Sequence, residues 1–190
     1  GSSSLPHDVP LATWASTTNI TVLYGDTAGD ALGKSVAVGR WSSDTIADVV
    51  AGVPGQDERP GGTARADAGG AYVLLGRADF AAVDGKRLID NAALAVYGPT
   101  AGIATGRGVG IADMDGDGSN DLLFGAPGSD GPTGTRTDAG AVLLLPRSRV
   151  SSTASIFDLA DEPASQIVHG ASAGDQLSLM EWMRLGNIDG

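Results

Sequence analysis

The 190-residue sequence contains no cysteine, two histidines, 5% aromatic residues and no long apolar run. The first absence excludes disulfides and thiolate metal sites, and two distant histidines, His7 and His169, cannot assemble a zinc set. No stretch of about 18 apolar residues is present, so no segment of this sequence is expected to span a membrane, and no signal-peptide pattern is seen. Basic residues are also few, at 12 Lys and Arg against 23 Asp and Glu. The resulting formal charge of −11 would repel phosphate backbones and argues against nucleic acid as a partner.

What is abundant is glycine, at 29 residues, beside an ordinary 42% of hydrophobic residues. That combination fits a folded chain of short strands and tight turns better than one of long helices. The chain also repeats itself. "LYGDTAGDALGKSVAVGRWSSDTIADVVAGVPG" (23–55) lies without a gap on "VYGPTAGIATGRGVGIADMDGDGSNDLLFGAPG" (96–128), Tyr24 falling on Tyr97 at an offset of 73 residues. "DAGGAYVLLG" (67–76) matches "DAGAVLLLP" (138–146), and a third start appears at "IVHGASAGDQLS" (167–178), with His169 in the tyrosine position.

Within each unit four apolar runs of four to seven residues read as buried strands: "KSVAVG" and "RGVGIA", "DVVAGVP" and "DLLFGAP", "AYVLLG" and "AVLLLP", "LAVYG" and "SQIVHG". Four strands per unit predict the blades of a β-propeller, with a β-sandwich or solenoid as the alternative. The units divide as 1–19, a tail or the end of a preceding blade; 20–95; 96–166; and a truncated 167–190.

The second unit carries "DMDGDGSND", with Asp113, Asp115, Asp117 and Asp121 at relative positions 1, 3, 5 and 9. An acidic turn between strands is the plain alternative, because Asp, Asn and Gly gather wherever the chain reverses. The spacing favours calcium, which takes about 6 to 8 oxygen ligands in a flexible shell, and a bound cation removes the repulsion among four carboxylates. Side-chain ligands are then Asp113, Asp115, Asp117 and Asp121, with the Ser119 carbonyl as a backbone ligand. This is not an EF-hand, since position 12 is Phe124 inside the apolar run. In the first unit the matching positions hold Arg40, Ser42, Asp44 and Asp48, so two carboxylates are lost and that loop is expected to bind no calcium.

Leu32-Gly33 followed by "AGVP", and Thr105-Gly106 followed by "FGAP" around the aspartate loop, resemble FG-GAP repeats, the blades of the integrin alpha-subunit propeller. The resemblance spans about residues 20–190. It implies an all-β fold, a partial propeller of about two and a half blades, Ca2+ in the loop between the first two strands of a blade, and an extracellular or cell-surface location. It also implies a non-catalytic role in adhesion or binding of a protein or glycan ligand. The alternative is an accessory propeller of a secreted hydrolase or phospholipase. In the third unit Leu177-Ser178 replaces Leu-Gly, and "EWMRLGNIDG" reaches Asn187 and Asp189 of a further loop. Stopping inside a motif implies further blades of a longer chain, and leaves Met180, Trp182, Met183 and Leu185 without a blade to pack into.

Other motifs carry less. "AGDALGKS" (28–35) lacks the first glycine of a phosphate-binding loop and sets Asp30 inside it; "GRGVG" (106–110) is repeat glycine. Ser35 and Ser178 lie at repeat positions, and His169 reads as a strand-end residue rather than a general base. "NIT" (19–21) matches the N-glycosylation acceptor pattern.

Overall fold

The computed structural model describes residues 21–57, 62–153, 155–164 and 166–178. Met180, Trp182, Met183, Leu185, Asn187 and Asp189 lie outside the described residues, as does the whole of the tail 1–19. Among the described residues there are eleven strands and three 3-10 turns and no α-helix.

Each of the eight apolar runs holds a strand. In the first unit these are β2 (Val36–Gly39), β3 (Asp48–Gly52), β4 (Gly70–Leu74) and β6 (Leu94–Tyr97). In the second they are β7 (Val109–Ala112), β8 (Asp121–Ala126), β9 (Ala141–Leu145) and β11 (Gln166–His169). Both sets pair antiparallel in sequence order, β2-β3-β4-β6 and β7-β8-β9-β11, as propeller blades do. The turns between strands fall where Gly, Asp and Pro cluster, and the runs are too short for helices.

Why the strands are apolar on both faces follows from where the sheets sit. Val50, Ala71, Val73, Leu94 and Val96 on one face of the first sheet pack against Val109, Leu122, Phe124, Ala141, Leu143 and Leu145 of the second. Their sequence neighbours Ala51, Tyr72, Leu74, Ala95 and Tyr97 point the opposite way, into a separate core with Leu88. Strands β3, β4 and β6 of the first sheet are therefore buried on both sides, the period-2 alternation dividing their residues between two cores, while Val36 and Val38 of β2 are exposed. Fully burying each Val, Leu or Phe contributes about 1.5–3 kcal/mol.

Successive units are stitched at matching positions. Thr105 N donates to Ala68 O at 3.0 Å and Leu177 N to Ala139 O at 2.9 Å; Ala104 N donates to Asp67 O at 3.0 Å and Gln176 N to Asp138 O at 2.9 Å. The approach is close enough to demand glycine: a Cβ on Gly52 would lie 1.9 Å from the Gly106 carbonyl oxygen. Gly106 itself has φ +84°, and its third-unit counterpart Ser178 has φ +73°. The serine is held in that backbone region by its hydroxyl, which donates to Ala141 O at 2.8 Å and accepts from Ala126 N at 3.0 Å.

The sequence reading did not anticipate three short strands: β1 (Leu23–Tyr24), β5 (Lys86–Arg87) and β10 (Ile156–Asp158). β10 leaves the second unit and pairs parallel with β6, the last strand of the first sheet, Phe157 opposite Val96 and Asp158 opposite Tyr97. β5 does the same to β1, with Lys86 opposite Leu23 and Arg87 opposite Tyr24. Since Leu23-Tyr24 and Val96-Tyr97 are equivalent in the repeat, the two pairings repeat one another, and β10 latches the second unit onto the outer edge of the first sheet. Ion pairs reinforce both pairings: Arg65 Nη2 lies 2.8 and 2.9 Å from the carboxylate oxygens of nearly buried Asp158, and Arg87 pairs with Asp26 and Asp90.

Candidate metal centre

The β7–β8 hairpin carries the aspartate loop. Asp113, Asp115 and Asp117 are exposed, and each offers a carboxylate oxygen within 4.8 Å of the others. Among the described residues this is the one group of three or more ligand-type side chains drawn so close. Gly116 (φ +78°) and Gly118 (φ +88°) allow the tight reversal that turns the three side chains inward.

Backbone N–H groups inside the turn hold the carboxylates in place. Asp113 accepts from Gly116 N at 2.8 Å on one oxygen and from Gly118 N at 2.9 Å on the other. Asp115 Oδ1 accepts from Asp117 N at 3.2 Å, and Asp117 Oδ1 from Ser119 N at 2.7 Å. The Oδ2 atoms of Asp115 and Asp117 take no part in these bonds, and an ionised carboxylate oxygen has lone pairs beyond a single hydrogen bond. An all-oxygen, acceptor-only set of this size fits a hard divalent cation, with calcium's 2.3–2.6 Å contacts and tolerance of irregular shells. Half-buried Ser119 follows Asp117 on the way back into β8.

Asp121 is placed differently. It is fully buried at the base of the loop, where Oδ2 accepts from Met114 N at 2.9 Å and Oδ1 from Arg147 N at 2.8 Å. It does not join the cluster of three; it ties the loop to the start of the segment after β9. Asp48 holds the same position in the first unit: equally buried, it accepts from Trp41 N at 2.8 Å and Ser42 N at 2.6 Å on one oxygen and from Gly76 N at 2.8 Å on the other. The two loops share this brace and one more detail. Asp44 Oδ1 accepts from Ile46 N at 2.8 Å, as its counterpart Asp117 does from Ser119 N. Arg40 and Ser42 occupy the remaining positions of the first loop, which retains the hairpin geometry without the three-carboxylate set.

The two loops touch. Asn120 Nδ2 donates to the Arg40 carbonyl at 2.7 Å, joining residues 80 apart in sequence. Beside this bond the Arg147 guanidinium lies 4.4 Å over the Trp41 ring and donates to Val150 O at 2.8 Å.

At the opposite end of the first sheet, Asp30 is nearly buried. Burial first, then the charges of Asp57, Asp26 and Asp67, pushes its carboxyl above the ordinary 3.8. The serines and histidine weighed in the sequence are structural by position. Buried Ser35 donates to Gly106 O at 2.9 Å, Ser178 bridges β8 and β9, and His169 ends β11 opposite Ala141.

Residues 105–145 match the family model of the FG-GAP repeat. The matched span runs from Thr105 through the aspartate loop to the end of β9, so it contains the whole candidate centre. Together with the two meander sheets it identifies an all-β assembly of propeller-type blades. No curated protein matches the chain.

Proposed function

Starting from an FG-GAP repeat at residues 105–145, we propose that this protein is a calcium-binding β-propeller segment of an extracellular or cell-surface protein, non-catalytic, and used in adhesion or ligand binding. The convergence of Asp113, Asp115 and Asp117 within 4.8 Å carries the reading. Three ionised carboxylates at that separation repel one another, and a divalent cation converts the repulsion into cross-links between the two arms of the turn. Asp113, Asp115 and Asp117 supply side-chain oxygens, Ser119 a carbonyl, and Asp121 braces the base of the loop from outside the cluster.

The metal's role in this setting is mechanical. The loop it orders is fastened through Asn120 to the neighbouring unit and through Asp121 to the chain beyond β9, so calcium stiffens the boundary between two blades. A propeller face that presents a protein or glycan ligand depends on such boundaries keeping their geometry. Isothermal titration of calcium into chelator-treated protein tests the reading. One site per chain is expected, lost in Asp117→Ala and kept in Asp44→Ala; two equal sites, or none, would overturn it.

A further inference from the structure

Between the aspartate loop and its degenerate counterpart lies a groove of about 550 Å³, lined among others by Arg40, Trp41, Ser42, Asp44, Asn120 and Arg147. Its walls belong to two different units, and the Asn120–Arg40 bond holds them together. Two arginines and one aspartate are among the residues that line it. Among the described residues the Arg40 side chain has no ion pair and no hydrogen bond, although the chain as a whole has nearly two acids for every base. Arg147 uses one nitrogen on Val150 O and leaves its other donors without a partner.

A second observation is independent of charge. Trp41, only 7% exposed, has an Nε1–H with no acceptor, and the neighbouring Ser42 hydroxyl is likewise buried without a partner. Buried donors are paired in nearly all native structures, and an orphan calls for a missing water, ion or ligand. Here two orphans sit on one groove wall, beside two arginines whose planar forks match oxyanion geometry.

We infer that this inter-unit groove binds an oxyanion, a sulfate or carboxylate group, gripped by Arg40 and Arg147 with Trp41 and Ser42 turning their unpaired donors toward it. Neither donor atom is open to solvent, so binding requires a small movement of the Trp41–Ser42 wall, which makes the Trp41 indole N–H the reporter. The groove adjoins the aspartate loop through Gly118 and Ser119, but its cations come from the loop that lacks the carboxylate set and from the segment after β9, so the titration is run with and without calcium.

The experiment is an NMR titration of the full chain with sodium sulfate and with sodium acetate against sodium chloride at equal ionic strength, in calcium and in chelator. The Trp41 indole signal is assigned by its loss in Trp41→Phe. A saturable shift of that signal with either oxyanion, in either metal condition, is expected, at least tenfold weaker in Arg40→Gln and weakened in Arg147→Lys, which keeps the charge but loses the fork. Sulfate alone marks a tetrahedral ligand group and acetate alone a planar one. A response equal to that of chloride, or one unchanged in the exposed-site variant Arg40→Gln, would overturn the proposal.

Discussion

Asp48 and Asp121 occupy the same place in successive units, each fully buried and each accepting backbone N–H groups from its own hairpin loop and from the segment that follows the third strand of its sheet. One of these loops gathers three further carboxylates and the other has lost two of the equivalent positions, yet both keep the brace. The ninth position therefore serves the hairpin with or without the other carboxylates of the loop.

This equivalence predicts that Asp48→Ala and Asp121→Ala destabilise the protein comparably. Each substitution leaves two or three backbone donors unpaired, at about 1–3 kcal/mol per buried group. Urea unfolding in chelator should show a loss on the order of 3 kcal/mol or more for both. A loss confined to Asp121→Ala, or seen only with calcium, would make the ninth residue chiefly a metal ligand.

The latch strand gives a second prediction. Arg65→Ala removes the cation from a carboxylate that is 2% exposed, and breaking a buried pair from one side costs about 3–5 kcal/mol. Hydrogen exchange should then quicken at Ile156–Asp158 and along β6 before it quickens in β8. Uniform acceleration across both sheets would mean that the ion pair acts on global stability rather than on the latch.

Asp30 supplies a pH test. Its folded-state pKa is raised above 3.8, so the folded protein holds this proton more tightly than the unfolded chain, and the associated stability is full below the unfolded value and lost as pH rises through the folded one. Asp30→Asn removes the charged form and should raise the melting temperature at pH 7. The gain should disappear as pH falls below about 4, where both states of the wild type are protonated. An equal gain at every pH would point to packing instead of ionisation.

Much of this was legible in the sequence because the repeat supplied an internal comparison. Offsets of 71 to 73 residues aligned the apolar runs, and all eight became strands in the expected order. The aspartate spacing located the three-carboxylate turn. The brace role of the ninth position was hidden because an aspartate there looks the same whether it faces a cation or backbone N–H groups. The first unit held the missing clue: it replaced positions 1 and 3 by Arg40 and Ser42 but kept Asp48. The short parallel strands left no periodic signal, since Lys86–Arg87 and Ile156–Asp158 are two and three residues long and pair with strands far away in sequence. The contact of Arg147 with Trp41 likewise arises only when two units meet.

Calcium at the Asp113 loop is the central claim, and linkage tests it most directly. A cation that binds the folded loop and not the unfolded chain adds about 2.7 kcal/mol at a hundredfold excess over Kd, or about 5–10 °C in Tm for a chain of this size. Thermal unfolding should therefore show that rise when calcium replaces chelator, with no rise in Asp115→Ala or Asp117→Ala and an undiminished one in Asp44→Ala. A wild-type melting curve unmoved by calcium would contradict the account and leave the loop an acidic turn between two strands.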